Sequence, residues 1–412
     1  MDLQHPKCAG LDVHQHTVVA CARVVAGSTV THERRTFGTT TAELLALSDW
    51  LTAHDCTHVA MESTGVYWKP IWQVLEGQFA LVLANARHIR NIPGRKSDVN
   101  DATWIADLLA HGLIRGSFVP PAPVQELRDL TRTRKQLVRE ITQHTLRIQK
   151  TLETANLKLT GLLSNILGVS GRAILHALVA GETDPERLAD LVQGRLKASR
   201  AALVAALHGR LTAHHRFLLQ LHLTQVDALE QAVHDVEERL GHALVPFRTA
   251  LDRLITMPGV SETVARVVVA EIGFDMARFP TAGHLVSWAG LCPRLDESAG
   301  KRLSTRTRPS NPWLKTTLVQ AAWAAARTKN TYLRAQFLRL KSRRGPKKTI
   351  LAVASSMRPI ICSNTTSTTG TSAPITSTAG TKPNLPIASF SAFRNSVSPS
   401  KSGRRNLPHI SF

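Results

Sequence analysis

Residues 7–25 read KCAGLDVHQHTVVACARVV, two short runs rich in Val and Ala on either side of the polar tripeptide HQH. Such runs predict two neighbouring strands joined by a turn. The runs THVAME at 57–62 and ALVLANA at 80–86 have a similar composition, and stretches with helical character at 41–54 and 66–77 lie between the runs. Because strands come first and then alternate with helices, we predict an α/β architecture, a mixed sheet with helices packed on it.

A further helix is predicted in the stretch DVNDATWIADLLAHG at 98–112. Ser97 precedes it as a candidate N-cap, and Gly112 is a candidate stop. Asp98 and Asp101 would then stand in the first turn, three residues apart on one face of the helix.

The pattern becomes helical from about residue 124. Apolar residues recur three, four or seven positions apart between 130 and 152 and again between 226 and 240. This spacing favours two long helices packed as a coiled coil or an antiparallel pair, with shorter helices at 161–200 between them. We therefore predict a helical coiled-coil arm over 124–249.

A mostly helical third segment is predicted over 250–360. Within it, LITMPGVSETVARVVVAEIG at 254–273 predicts a helix, a tight turn and a second helix. Such a helix-hairpin-helix-like element can present backbone N–H groups to a phosphate, although a hairpin buried in a core has the same pattern. Beyond it, residues 361–412 contain 11 Ser and 8 Thr and lack apolar periodicity, which predicts a disordered tail.

Positive charge is concentrated near the C-terminus. The chain has 51 Lys and Arg against 30 Asp and Glu, and the last acidic residue is Glu297. The 20 basic residues beyond it leave the first 297 residues almost neutral. A domain of this kind is expected to bind phosphates, unless the charge forms only a solvated face. The candidate contacts are Lys301, Arg302, Arg306, Arg308, Arg343, Arg344, Lys347 and Lys348.

Other compositional features exclude several classes of protein. No apolar run approaches the ~18 residues of a membrane-spanning helix, and the N-terminus lacks a signal-peptide pattern, so a cytoplasmic protein is expected. The five cysteines are scattered without a C-x-x-C pair, which argues against a disulfide framework or a zinc ribbon.

Four carboxylates stand at positions that suit metal chemistry. Asp12 lies in the first predicted strand, Glu62 ends a later one, and Asp98 and Asp101 belong to the helix start. Oxygen ligands of this kind suit Mg²⁺, and two ions ~3.5–4 Å apart stabilise both oxygens of a phosphoryl transfer. The alternative is that Asp98 and Asp101 only complement the helix dipole, Asp12 lies in a turn and Glu62 is an exposed strand end.

These residues resemble a known family. Asp12 in GLDVHQ, Glu62 in MESTGVYW, and Asp98 with Asp101 in GRKSDVNDATWIADLLAHGLI resemble the motifs of the DEDD transposases of bacterial insertion sequences. These enzymes are also described as bridge-RNA-guided recombinases and are related to Piv-type invertases. The resemblance covers roughly residues 8–355 and includes MPGVSETVARVVVAEIG, WAGLCPRLDESAGKR and NPWLKTTLVQAAWAAART.

The resemblance implies a fold and a chemistry. It implies a RuvC-like (RNase H-like) domain at 1–123, the coiled-coil arm, and a C-terminal transposase domain at 250–360. It also implies that the four acids bind two Mg²⁺ ions and that a serine attacks DNA, which the motif ESAGKR assigns to Ser298. The expected partners are donor and target DNA, a guide RNA, and further copies of the chain forming a dimer or tetramer through the arm.

Three alternatives remain open from the sequence. The nucleophile could be another serine, namely Ser304, Ser310, Ser261 or Ser287. The chain could also be a RuvC-type nuclease that hydrolyses branched DNA without a covalent intermediate. Finally, it could be an inactive relic that only binds nucleic acid.

Overall fold

A computed structural model of the chain describes residues 3–62, 65–90, 92, 100–194, 198–273, 275–279, 281–293, 296–307, 310–357 and 361. The strands in this part of the chain are β1 (Lys7–Val13), β2 (Thr17–Ala26), β3 (Thr29–Gly38), β4 (His58–Glu62), β5 (Ala80–Ala84), β6 (Asp296–Ser298) and β7 (Lys301–Ser304). The helices are α1 (Thr41–Ala53), α2 (Trp68–Leu75), α3 (Ala86–Arg90), α4 (Asp101–Ala110), α5 (Ala122–Thr154), α6 (Val169–Ala180), α7 (Pro185–Asp190), α8 (Arg200–Leu207), α9 (Ala213–Ala243), α10 (Arg248–Ile255), α11 (Glu262–Ile272), α12 (Ala282–Trp288), α13 (Pro312–Arg327), α14 (Tyr332–Arg344) and α15 (Pro346–Ser356).

The N-terminal sheet is mixed, which confirms the prediction. Its strand order is β3-β2-β1-β4-β5. β2 pairs antiparallel with both β3 and β1, whereas β4 pairs parallel with β1 and β5 pairs parallel with β4. The apolar runs predicted four of these strands but not β3. Its sequence TVTHERRTFG is exposed along most of its length, so an edge strand of this kind carries no apolar signal.

The two faces of the sheet carry different helices. Leu11 and Met61 face a core that includes α1 and α2, whereas the alternate residues Cys8 and Ala60 belong to the core on the opposite face. Helix α4 covers this second face. It packs so closely that a side chain on Gly10 would collide with the backbone of Ala102, which explains why this strand position is a glycine.

The two long helices α5 and α9 pack along each other. Arg134 of α5 donates a hydrogen bond to Glu237 of α9. Later in α5 and earlier in α9, Nδ1 of His144 lies 3.3 Å from Nδ1 of His222, so the two helices run antiparallel. The C-terminal part of α5 and the N-terminal part of α9 enclose a core with α6, α7 and α8. The opposite ends of the two helices contribute Val124 and Leu240 to the C-terminal core. Coiled-coil geometry of this pair stays a prediction.

The predicted helix–turn–helix at 254–273 corresponds to α10 and α11. Its turn contains Gly259, which has a φ of +84° and lies against the backbone of α13 at Ala321 and Ala325. Val260 is buried beside it. The observed role of this turn is therefore core packing, and phosphate binding by its N–H groups stays a prediction.

An aromatic cluster connects the sheet domain to the C-terminal helices. Ser117 bonds to Leu83 of β5, and the adjacent Phe118 contacts the rings of Phe279 and Trp288 at 5.9 and 6.0 Å. None of the described helices is both long and apolar enough to span a membrane. The domain boundaries at 123, 249 and 360 stay predictions, and the tail beyond 361 lies outside the described residues.

Candidate active site and nucleic-acid interface

Asp12 and Glu62 lie at the same end and on the same face of the sheet. β1 and β4 run parallel with Leu11 opposite Met61, so Asp12 and Glu62 occupy the next position in this register. Side chains alternate along a strand, which places both carboxylates on the face that α4 covers.

Helix α4 brings a third carboxylate to this end. Ala110 accepts bonds from Gln4 and His5 just before β1, and Ala102 lies against Gly10. The helix therefore runs antiparallel to β1, and its first residue, Asp101, lies towards the end of β1 where Asp12 stands. One end of the sheet thus gathers Asp12, Glu62 and Asp101.

The start of α4 corrects the sequence interpretation. The helix begins at Asp101, and Asn100 is the N-cap, because its Oδ1 accepts a bond from the N–H of Ala102 at 2.9 Å. The helix therefore begins three residues later than predicted, and Ser97, the predicted cap, lies outside the described residues. Asn and Ser are both good caps, so the sequence left this boundary ambiguous. Asp98 itself lies outside the described residues.

Two polar contacts orient this region. His14, in the turn after β1, places Nε2 3.2 Å from Oδ2 of Asp12. On α4, Asp107 accepts bonds at 2.9 Å from the buried Arg23 of β2 and from His32 of β3. The two contacts of Asp107 join α4 to the antiparallel half of the sheet and so help to hold Asp101 in place. Sequence patterns did not single out Arg23, His32 or Asp107.

The donor chemistry at this end fits a hard cation. Three carboxylates supply oxygen ligands of the type that Mg²⁺ prefers. Among the described residues, no three His, Cys, Asp or Glu side chains lie close enough together to hold a metal ion, and Asp98 is not among these residues. The shared end and face of the three acids are therefore the structural observation that bears on metal binding.

Ser298 lies in a β-hairpin. β6 and β7 pair antiparallel, and Ala299 and Gly300 form the two-residue turn with φ values of +48° and +72°. Two positive φ values are typical of the type I′ turn that matches the strand twist. Ser298 is the last residue of β6, opposite Lys301, and its side chain is not among those described.

Two of the four alternative serines accept hydrogen bonds from nearby backbone N–H groups. Ser261 is the N-cap of α11, and its hydroxyl accepts a bond from the N–H of Val264. Ser304 ends β7 and accepts a bond from the N–H of Arg306. Both hydroxyls are used in local structure, which leaves less reason to assign them to catalysis.

The predicted phosphate contacts form two groups. Lys301 and Arg306 are exposed on and beyond the hairpin, whereas the side chain of Arg302 and all of Arg308 lie outside the described residues. Arg343 and Lys347 are exposed at the ends of α14 and α15. Arg344 and Lys348 line a cavity of about 350 Å³ together with the chain that follows the hairpin, at Thr305 and Thr307. The two groups therefore come together in space.

A buried ion cluster joins three helices of the C-terminal region. Glu271 of α11 is fully buried, and its two carboxylate oxygens accept bonds from Arg132 of α5 at 2.8 and 2.9 Å. Asn311 donates to Glu271 at 2.6 Å and also caps α13. Sequence reasoning missed this cluster, since Glu271 lies within an apolar run 139 residues from Arg132.

Comparison with protein families agrees with this geometry. Residues 9–157 match a transposase model of the DEDD, IS110 type. Residues 251–338 match the model of the transposase IS116/IS110/IS902 family. The chain carries both transposase domains. It is therefore an enzyme that acts on DNA, and its DEDD domain indicates the use of a divalent metal.

The two matched segments contain the candidate residues. The DEDD transposase domain includes all four acids, and the second transposase domain includes Ser298 together with α11 and α13. No curated protein matches the chain.

Proposed function

We propose that this DNA transposase cuts and rejoins DNA as a site-specific recombinase that mobilises an insertion sequence. The observation that supports this most is the gathering of Asp12, Glu62 and Asp101 at one end of the sheet within a DEDD transposase domain. A sheet end of this kind can bring several carboxylate oxygens to the same metal ions.

Asp12, Glu62, Asp98 and Asp101 would hold two Mg²⁺ ions. When bound, such ions polarise the scissile phosphate and stabilise the charge on the attacking and leaving oxygens. His14 contacts Asp12 and would keep that carboxylate oriented. The ion pair between Arg23 and Asp107 would fix the position of α4 and therefore that of Asp101.

Ser298 would be the nucleophile. Its oxygen would form an ester bond to phosphorus as the bond from phosphorus to the leaving DNA oxygen breaks, and the serine proton would end on that leaving hydroxyl. One phosphodiester replaces another, so rejoining needs no external energy source. The position of Ser298 beside the tight turn and Lys301 supports this role, because a scissile phosphate needs a cation nearby.

The proposed partners are donor and target DNA, a guide RNA related to the bridge RNAs of the resembled recombinases, and further copies of the chain. Oligomerisation through the arm is supported by three exposed apolar side chains. Leu146 of α5 and Phe217 and Leu221 of α9 are 52%, 65% and 42% exposed. Packing against a second copy would remove them from water. If so, Phe217→Glu with Leu221→Glu should lower the sedimentation coefficient, and an unchanged coefficient would contradict this interface.

The catalytic proposal is tested by substitution of single groups. Asp12→Asn and Asp101→Asn should abolish strand cleavage and leave DNA binding nearly unchanged, because binding rests on basic residues elsewhere. Asp55→Asn is the matched control, since Asp55 is an exposed carboxylate that pairs with Lys7 at the surface. Cleavage should require Mg²⁺ or Mn²⁺ and be lost in Ca²⁺, which coordinates more loosely. Normal cleavage by either acid variant would refute the metal assignment.

A covalent adduct separates the recombinase from its alternative. A reaction stopped in denaturant should contain DNA linked to the peptide with Ser298, and Ser298→Ala should lose this link. Ser304→Ala, on the facing strand of the hairpin, serves as the control and should keep it. The DEDD domain also suits a metal-dependent nuclease, which is the second candidate function. Cleavage without any adduct in the unaltered enzyme would favour that nuclease.

A further inference from the structure

A cavity of about 400 Å³ lies between α5, α11 and α13, in a region to which no catalytic residue has been assigned. Val138, Val264 and Val267 give it apolar walls, and Thr263, Thr316 and Gln320 add hydroxyl and amide groups at its rim. A pocket with mostly apolar walls and a few polar groups at the edge suits a flat organic ring with polar substituents.

Four basic side chains line this cavity, and two of them are in ion pairs, whereas the other two form none within the described part of the chain. Arg134 is paired with Glu237, and Arg266 is paired with Glu262. Lys135 and Arg139, in contrast, form no ion pair with a carboxylate of the described residues.

Both unpaired cations lie over the ring of Trp313. The Nζ of Lys135 is 5.5 Å and the guanidinium carbon of Arg139 is 5.3 Å from the ring centroid. Lys135 also donates to the hydroxyl of Thr316 at 2.7 Å. Burial lowers the pKa of Lys135, and the charge of Arg139 adds to this effect. Two like charges held together beside an aromatic ring favour a bound anion.

We propose that this cavity binds one unpaired nucleotide of a single-stranded nucleic acid, with the base between the valines and its phosphate on Lys135 and Arg139. Duplex DNA does not fit, since its bases are stacked and only its phosphates are accessible. An acidic peptide would satisfy the cations but leave the apolar walls without a planar partner. The shared chemistry is a phosphodiester with an unstacked base, whether the strand is RNA or DNA.

This binding does not depend on metal and can be measured in EDTA, so its outcome is separate from that of the proposed catalysis. Fluorescein-labelled oligouridylate and oligodeoxythymidylate serve as probes, with an abasic strand of equal length as the phosphate-only probe. In Lys135→Gln with Arg139→Gln, the slope of log affinity against log salt should fall by about 0.7, at ~0.7 per neutralised phosphate, because the two cations hold one phosphate. If the curves meet at 1 M salt, this corresponds to roughly 5-fold weaker binding at 0.1 M.

The matched control is Arg147→Gln with Lys150→Gln. It removes the same charge from exposed positions further along α5, which do not line the cavity. An equal fall in the salt slope of both double variants would show only a general charge effect and overturn the proposal. So would an abasic strand that binds the unaltered protein as tightly as the strands with bases.

Photo-crosslinking locates the base directly. Strands that contain 5-iodouracil should crosslink to peptides covering Thr263 to Val267 or Trp313 to Gln320. Preference for the ribose or the deoxyribose strand identifies whether RNA or DNA occupies the site. Crosslinks confined to peptides of α14 and α15 would overturn the proposal.

Discussion

Removal of the buried carboxylate of Glu271 should loosen the C-terminal region. Glu271→Ala leaves the guanidinium of Arg132 and that of Arg128, which lies 3.4 Å away, without their common partner. Asn311 loses the oxygen to which it donates. Breaking a buried ion pair by removing one partner typically costs about 3–5 kcal/mol.

The measurement is hydrogen exchange of peptides from α11 and α13, because it reports this region without assuming that the whole chain unfolds in one step. A cost of about 3–5 kcal/mol corresponds to roughly 150- to 5000-fold faster exchange of the most protected amides. Peptides of β1 and β4 should keep their exchange rates, since Glu271 does not contact the sheet.

The matched control lies on the same helix. Glu262→Gln removes one charge from a carboxylate that is 55% exposed and paired with Arg266 one turn away. An exposed pair of this kind contributes about 0.5 kcal/mol or less. Equal effects of the two substitutions would refute the argument that burial makes the Glu271 cluster strong.

Four shorter predictions concern other regions. Replacing Arg343, Arg344, Lys347 and Lys348 with Gln should lower the salt slope of duplex DNA binding by roughly 3–4, at ~0.9 per phosphate, and an unchanged slope would show that they only face solvent. Burial raises the pKa of Cys8 to about 12 and that of Cys56 to about 11, from 9.0, so alkylation mapped by mass spectrometry should be far slower at both than at the half-buried Cys292. Because these thiols ionise first in the unfolded chain, stability should fall as pH rises from about 9 towards 12, and a urea midpoint that does not decrease between pH 8 and pH 10 would contradict this sign. Ala299→Gly should stabilise the hairpin by roughly 0.5–1 kcal/mol, seen as slower exchange of its amides, since glycine tolerates the φ of +48° that strains alanine.

The sequence by itself determined the elements whose apolar patterns are local. Strands β1, β2, β4 and β5 and the long helices α5 and α9 follow from apolar runs and helical spacing. The sequence also placed Asp12 and Glu62 at or near the ends of strands, and the structure confirms these positions, while their role in catalysis stays a prediction. The edge strand β3 was missed, since an exposed strand has no apolar pattern to read.

Only the tertiary structure decided which distant residues meet. The close approach of α4 to Gly10 sets the position of Asp101, and it depends on packing across the sheet. The contacts of Glu271 with Arg132, and of Trp313 with Lys135 and Arg139, join residues more than a hundred positions apart. Periodicity reports which face of one element is buried, but it does not report which partner covers that face. Such pairings are fixed by the packing of whole helices, so they appear only when the chain is folded.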